Sequence, residues 1–174
     1  MVLQRGMPVP VWGWGDPGEK VTVAFSGRSS SAVTDKEGKW QAQLPAMDAC
    51  TTPQELRVTG RNAITITDVL VGDVWLGSGQ SNMEFAMRDV ENSKDEIATA
   101  GCPKIRLFTV PRNEKHQVAE DVDSKWQPCT PETVTGFSAV LYLFGREIHT
   151  QTQVPIGLVH SSVGGTRIEL WTAP

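Results

Sequence analysis

The sequence predicts an α/β protein whose opening part is all-β, and three observations predict it. Residues 1–68 hold short apolar segments separated by turn residues, the pattern of a small sandwich. From residue 69 strand-like and helix-like stretches alternate, as in a parallel sheet covered by helices. Two strands of this second part run into Gly-rich turns, where open α/β sheets bind their ligands. The expected domains are therefore 1–68 and 69–174.

In the first of these, Pro8, Pro10 and the Asp16-Pro17-Gly18 turn punctuate short segments. Val21-Thr22-Val23-Ala24-Phe25 alternates with period two, as a half-buried strand does. Ala32-Val33-Thr34 and Trp40-Gln41-Ala42-Gln43-Leu44 flank Asp35–Lys39, which reads as a hairpin loop with Gly38 late in its turn. Leu56-Arg57-Val58 and Ile64-Thr65-Ile66 complete the set. Trp12, Trp14 and Trp40 read first as core fillers of a small β domain, and alternatively as a stacking platform for sugar rings.

In the second part, Val69–Leu76 is the first strand. Met83, Ala86, Met87, Val90 and Ile97 mark an imperfect helical stripe over 82–100, stopped by Gly101 and Pro103. Met83 and Met87 suit a core. Ile105–Val110 is the second strand. Residues 111–132 are polar, with Pro111, Pro128 and Pro131, and read as a loop holding a short strand at 125–127. Its Glu120, Asp121 and Asp123 read as a solvated acidic stretch rather than a cation site. Phe137, Val140, Leu141, Phe144 and Ile148 recur at three and four, giving a helix over 134–152. His149 near its end complements the helix dipole. Pro155 opens the third strand, 156–160.

Composition bounds the function. A chain of 174 residues with 39% hydrophobic and 21% charged residues is ordinary for a globular protein. A net charge of −4 without a basic run argues against nucleic acid as a partner. No apolar run approaches the length of a membrane-spanning helix, so no membrane partner is expected. Cys50, Cys102 and Cys129 are widely spaced, with no His at ligand spacing, so no metal is expected. They read as buried thiols, or as one pair and a free thiol. The opening Met-Val-Leu-Gln-Arg-Gly lacks the charged head and apolar core of a signal peptide.

The chemistry concentrates in Asp73–Phe85, D-V-W-L-G-S-G-Q-S-N-M-E-F. Gly77 and Gly79 permit a sharp turn after the strand. Ser81 then stands where a helix starts, with outward N–H groups able to receive a developing oxyanion. Read on turn chemistry alone it is a helix N-cap or a nucleophile. The dinucleotide pattern fails at Asn82, the Gly-Lys-Ser/Thr of a phosphate loop is absent, and G-x-S-x-G fails at Met83. The turn Ser161-Ser162-Val163-Gly164-Gly165-Thr166 repeats the same logic after the third strand and leads into Arg167 and Glu169. Parallel strands share their carboxyl ends, so both turns belong at one edge of the sheet.

The run G-S-G-Q-S-N-M-E at 77–84 resembles the first sequence block of the sialate O-acetylesterase family, within the SGNH (GDSL-type) hydrolases. V-H-S-S-V-G-G-T-R-I-E-L-W-T at 159–172 resembles its Gly-Gly-Thr block, and V-L-Q-R-G-M-P-V-P-V-W-G the start of its β-rich N-terminal domain. The three occur in the family's order and cover essentially the whole chain.

That resemblance implies a β-rich domain followed by the first part of a three-layer α/β/α domain. It implies a serine esterase acting on O-acetylated carbohydrates, without a cofactor. Ser81 is the implied nucleophile. The implied oxyanion hole uses the Ser81 N–H and a glycine of the second block, Gly165 before Gly164. Gln80, Asn82 and Thr166 flank the two turns as candidate substrate-binding residues. The family's catalytic Asp-x-x-His block has no counterpart, since Asn113, Arg146 and Gly157 stand three before His116, His149 and His160. Val163 departs from an aromatic residue common in the family. The chain is therefore expected to be the front part of such an enzyme, inactive alone, its C-terminal part supplied in cis or as a second chain. A carbohydrate-binding module without hydrolysis, or a nucleotide site at 77–82, are the other classes. The residues do not choose among acetylated sugars or compartments; the resemblance implies a secreted, periplasmic or lysosomal setting.

Overall fold

The computed structural model describes residues 1–112 and 119–172. Two compact units divide the chain, one formed by Val2–Asp73 and the other beginning at Val74.

The first unit is all-β. Its strands are β1 (Val2–Gln4), β2 (Val9–Trp14), β3 (Lys20–Phe25), β4 (Arg28–Val33), β5 (Lys39–Leu44), β6 (Cys50–Thr59) and the early part of β7 (Ala63–Gly79). β4, β3, β6 and β7 are neighbours in that order, all antiparallel. β1 pairs with β7 in parallel, and β2 pairs with β5 as a separate antiparallel ribbon. The core follows the two-residue period: Val21, Val23 and Phe25 from β3, and Trp40, Ala42 and Leu44 from β5, are buried.

Three expectations change here. The segments expected as separate strands at 64–66 and 69–76 are one strand, β7. Asp68, at φ +56, sits in the irregularity where Gln54 and Leu56 of β6 face Val69 and Ile66. A bulge therefore joins the segments where a turn would have parted them. The Asp35–Lys39 loop closes no hairpin either, because β4 pairs with β3 and β5 with β2. The hairpin is β3–β4, through Ser26 and Gly27 at φ +50 and +72, two positive values that suit a tight primed turn. Asp35 Oδ1 accepts from the amides of Glu37 (3.0 Å) and Lys39 (2.8 Å), so this loop redirects the chain. Finally, only Trp40 is a core residue, at 8% exposure; Trp12 and Trp14 point outward, at 63% and 53%.

In the second unit the end of β7, β10 (Ile156–Ser162), β8 (Cys102–Thr109) and β9 (Gln127–Cys129) are neighbours in that order. β10 and β8 are parallel and β9 is antiparallel to β8. With its helices this gives the expected α/β fold. The helix expected over 82–100 is broken into α1 (Ser81–Glu84), a 3-10 turn (Met87–Asp89) and α2 (Ser93–Ala98). Backbone bonds to a second segment account for the break. Met87 N donates to Phe137 O (3.0 Å), Arg88 N to Thr135 O (3.1 Å) and Ala139 N to Phe85 O (2.8 Å).

The helix expected over 134–152 is two, α3 (Pro131–Val134) and α4 (Ala139–Thr152). Each has its own cap, Thr130 accepting from Thr133 N and Ser138 from Leu141 N. The buried residues of α4 are Ala139, Leu141, Tyr142 and Gly145, while Val140 is exposed and Phe144 meets Trp75 edge-on at 5.0 Å. A Cβ on Gly145 would stand 2.7 Å from Leu158, so the glycine lets α4 lie directly on β10. His149 Nδ1 is 2.6 Å from Val154 O, a local tie at the helix end. Cys50, Cys102 and Cys129 are free thiols. Glu120, Asp121 and Asp123 are exposed, and the described residues gather no group of three potential metal ligands.

Candidate active site

The two Gly-rich turns belong to the second unit, and the structure brings them together. β7 ends at Gly79, whose φ of +137 is a conformation that side chains resist. Gly77 is buried, and a Cβ there would stand 2.7 Å from Leu141 Cδ2, so α4 packs against bare backbone just before the turn. Ser81 opens α1 with Gln80 as its cap. The capping carboxamide accepts the Ser81 hydroxyl at 3.0 Å and its amide at 3.3 Å. Ser81 and Asn82 are exposed.

The second turn closes onto the first through its backbone. Val163 N donates to Gly79 O at 3.1 Å. Gly164 N donates to Glu84 Oε2 at 2.7 Å, and a Cβ on Gly164 would lie 3.7 Å from Ser81 Cα. Gly165, at φ +78, has open space where its side chain would be. The Thr166 hydroxyl donates to Val163 O (2.7 Å) and accepts from Trp171 Nε1 (2.8 Å), which braces the turn from behind. Ser81, Gln80, Asn82, Gly164, Gly165 and Thr166 thus come from the two turns that these bonds hold together.

Glu84 and Arg112 form a link that sequence reasoning missed. The Glu84 carboxylate pairs with the Arg112 guanidinium through Oε1 and takes the Gly164 amide on Oε2. The Arg112 cation, and then the Gly164 N–H, hold its carboxyl below the usual Glu range. The helical i, i+3 spacing of Ser81 and Glu84 was in the sequence, but a partner 80 residues away leaves no local signal.

The two described histidines, His149 and His160, bond elsewhere than to Ser81. His160 is 7% exposed, with Nε2 2.6 Å from Ser162 Oγ and its ring edge-on to Phe137. Burial pushes its imidazole below the ordinary value, the Glu84 carboxylate acting in the opposite sense. His149 is tied at the far end of α4, and His116 lies outside the described residues.

Known proteins share this arrangement of sequence. Residues 71–174 match the family model of the carbohydrate esterases described as sialic acid-specific acetylesterase. Curated sialate O-acetylesterases of Mus musculus and Homo sapiens are 35% and 36% identical over 99% of this chain. The chain spans 36% and 37% of their lengths, little more than a third. A carbohydrate acetylesterase from Xanthomonas citri, solved by crystallography, superposes with a TM-score of 0.94 at 39% identity, over 98% of this chain and 40% of that one. With the family's Gly-rich blocks at 77–84 and 161–166 folded against each other, the chain belongs to the carbohydrate esterase family of sialic acid-specific acetylesterases.

Proposed function

We propose that this chain carries the nucleophile-bearing part of a serine esterase that removes O-acetyl groups from carbohydrates, with sialate O-acetyl esters the first substrates to try. One observation carries the reading: the glycine turn is bonded to the Ser81 turn through Val163 N and Gly79 O at 3.1 Å, and a Cβ on Gly164 would lie 3.7 Å from Ser81 Cα, a proximity that supports a glycine amide as oxyanion donor. In the proposed reaction Ser81 Oγ attacks the acetyl carbonyl carbon and passes its proton to a base. The sugar alcohol leaves with a proton, and water then releases acetate from the acyl-serine.

Of the two glycines, Gly165 is the better second donor. The Gly164 amide is already committed to Glu84, whereas Gly165 adjoins open space. The Ser81 amide faces Gln80 Oε1 at 3.3 Å, a long bond that an oxyanion can displace. Gln80 thereby holds both hydrogen-bond donors of Ser81 in the resting site, which supports it as a residue that meets the substrate. Asn82 and Thr166 are the other proposed substrate contacts.

The base is proposed to come from outside these 174 residues, in cis or from a second chain. The engagement of His149 and His160 elsewhere, and the lack of an Asp-x-x-His pattern, support this. The test is a chimera in which this chain replaces the matching portion of the Xanthomonas citri enzyme, assayed for acetate release from acetylated sialate and acetylated xylan. Release that Ser81→Ala abolishes is the expected result. Release that survives Ser81→Ala overturns the assignment.

A further inference from the structure

We propose that the β unit carries a second ligand site, for a neutral sugar ring, in a cleft of about 280 Å³ between the end of β2 and the turn joining β6 to β7. Trp14 forms one wall, and Asp16, Arg61 and Asn62 supply the polar side.

The cleft is built around Glu19. Its Oε1 accepts from Arg61 N at 2.6 Å and its Oε2 from Asp16 N at 3.1 Å, so one carboxylate ties both loops. A Cβ on Gly60 would stand 2.1 Å from Oε1, so this closure requires glycine there. Glu19 is thus a strut with both oxygens used. Arg61 pairs with one oxygen of Asp16 and keeps further N–H donors, and Asp16 keeps its second oxygen as an acceptor. Asn62 is exposed and adds a donor and an acceptor.

Charge selects the ligand class. Two carboxylates face one guanidinium, so the cleft is net negative and unsuited to phosphate or an acidic sugar. Neutral hydroxyl groups suit paired donors and acceptors of this kind. The apolar component is an indole held in solvent: Trp14 is 53% exposed, whereas a tryptophan serving this core is buried, as Trp40 is. Trp12, 63% exposed on the same strand face, lies two residues earlier, about 6.6 Å along the strand. Opposite Trp12 and Trp14 on β5 stand Gln41 and Lys39, both exposed. A broad aromatic face with a polar rim fits the C–H face of a pyranose and its hydroxyl edge together. The occupant is a neutral polysaccharide chain, with one ring on Trp14 in the cleft and a neighbouring ring on Trp12.

The test is affinity electrophoresis of the Ser81→Ala chain in native gels containing neutral xylan, neutral galactomannan or polygalacturonate. Retardation in at least one neutral gel and none in polygalacturonate is expected. Trp14→Ala, with an unchanged thermal melt, weakens the retardation by at least about tenfold. Trp14→Phe keeps a smaller ring and falls between the two, which covers the case in which the alanine variant does not fold. Retardation in neither neutral gel overturns the proposal, as does equal retardation of Trp14→Ala and its parent, or stronger retardation in polygalacturonate. The readout makes no use of Ser81, so its failure leaves the esterase reading standing and failure of that reading leaves this one standing.

Discussion

Gly77→Ala perturbs the point where α4 meets the strand that delivers Ser81. The new Cβ would stand 2.7 and 3.0 Å from the two Leu141 methyls and 3.0 Å from Met83 Sδ. Carbon atoms in good contact lie about 3.5–4.0 Å apart, so the closest intrusion is roughly 1 Å. Leu141 is 4% exposed within the second unit's core and has little room to retreat. Overpacking of this kind costs about 1–3 kcal/mol. In a chain of this size that lowers Tm by roughly 2–12 °C. A double-mutant cycle separates crowding from any other effect, read from urea unfolding by tryptophan fluorescence. Leu141→Ala alone destabilises by about 2–5 kcal/mol, because it opens a cavity. With Gly77→Ala added, the new methyl enters that cavity, and the double variant is more stable than the sum of the singles by about 1–2 kcal/mol. An unchanged Tm for Gly77→Ala, or strict additivity in the cycle, refutes the close-packing argument.

Other outcomes follow from the same geometry. Gly79→Ala forces a side chain into φ +137 and is expected to destabilise by about 1–3 kcal/mol, measured as a lower urea midpoint. The Arg112–Glu84–Gly164 link predicts a pH dependence. Its contribution is complete above the ordinary Glu pKa of about 4.3 and is lost as pH falls through the lowered folded value. Glu84→Gln flattens that acid limb in urea midpoints taken from neutral pH downward, and an unaltered limb contradicts the link. Burial pushes the Cys129 thiol up to about 11, so iodoacetamide at mildly alkaline pH modifies Cys50 and Cys102 before Cys129, as peptide mass mapping will show.

Much of the fold was legible because it rests on local periodicity. The alternation in Val21–Phe25 and Trp40–Leu44 reports buried faces directly, and the apolar run of β10 reports a strand covered on both sides. What was not legible depends on partners distant in sequence. Residues 82–100 carry a helical stripe, yet Phe85–Arg88 spend their backbone bonds on residues 135–139. Val140 and Phe144 fit the spacing of a buried stripe, but Gly145 sets the contact with β10 and rotates α4 away from them. The outward turn of Trp12 and Trp14 was undecidable by composition, since core and surface tryptophans look alike until strand pairing is known. At the site, the two Gly-rich turns marked themselves by residue type, whereas the Glu84 bond to Gly164 arises only when the sheet brings the turns together.

The central claim, that Ser81 is the nucleophile, is tested most directly by fluorophosphonate labelling of the Xanthomonas citri chimera, with the modified residue located by peptide mass mapping. The account predicts one adduct, on Ser81, absent from the Ser81→Ala chimera, and no adduct on the 174-residue chain alone. An adduct on another residue, or undiminished labelling of the Ser81→Ala chimera, contradicts it.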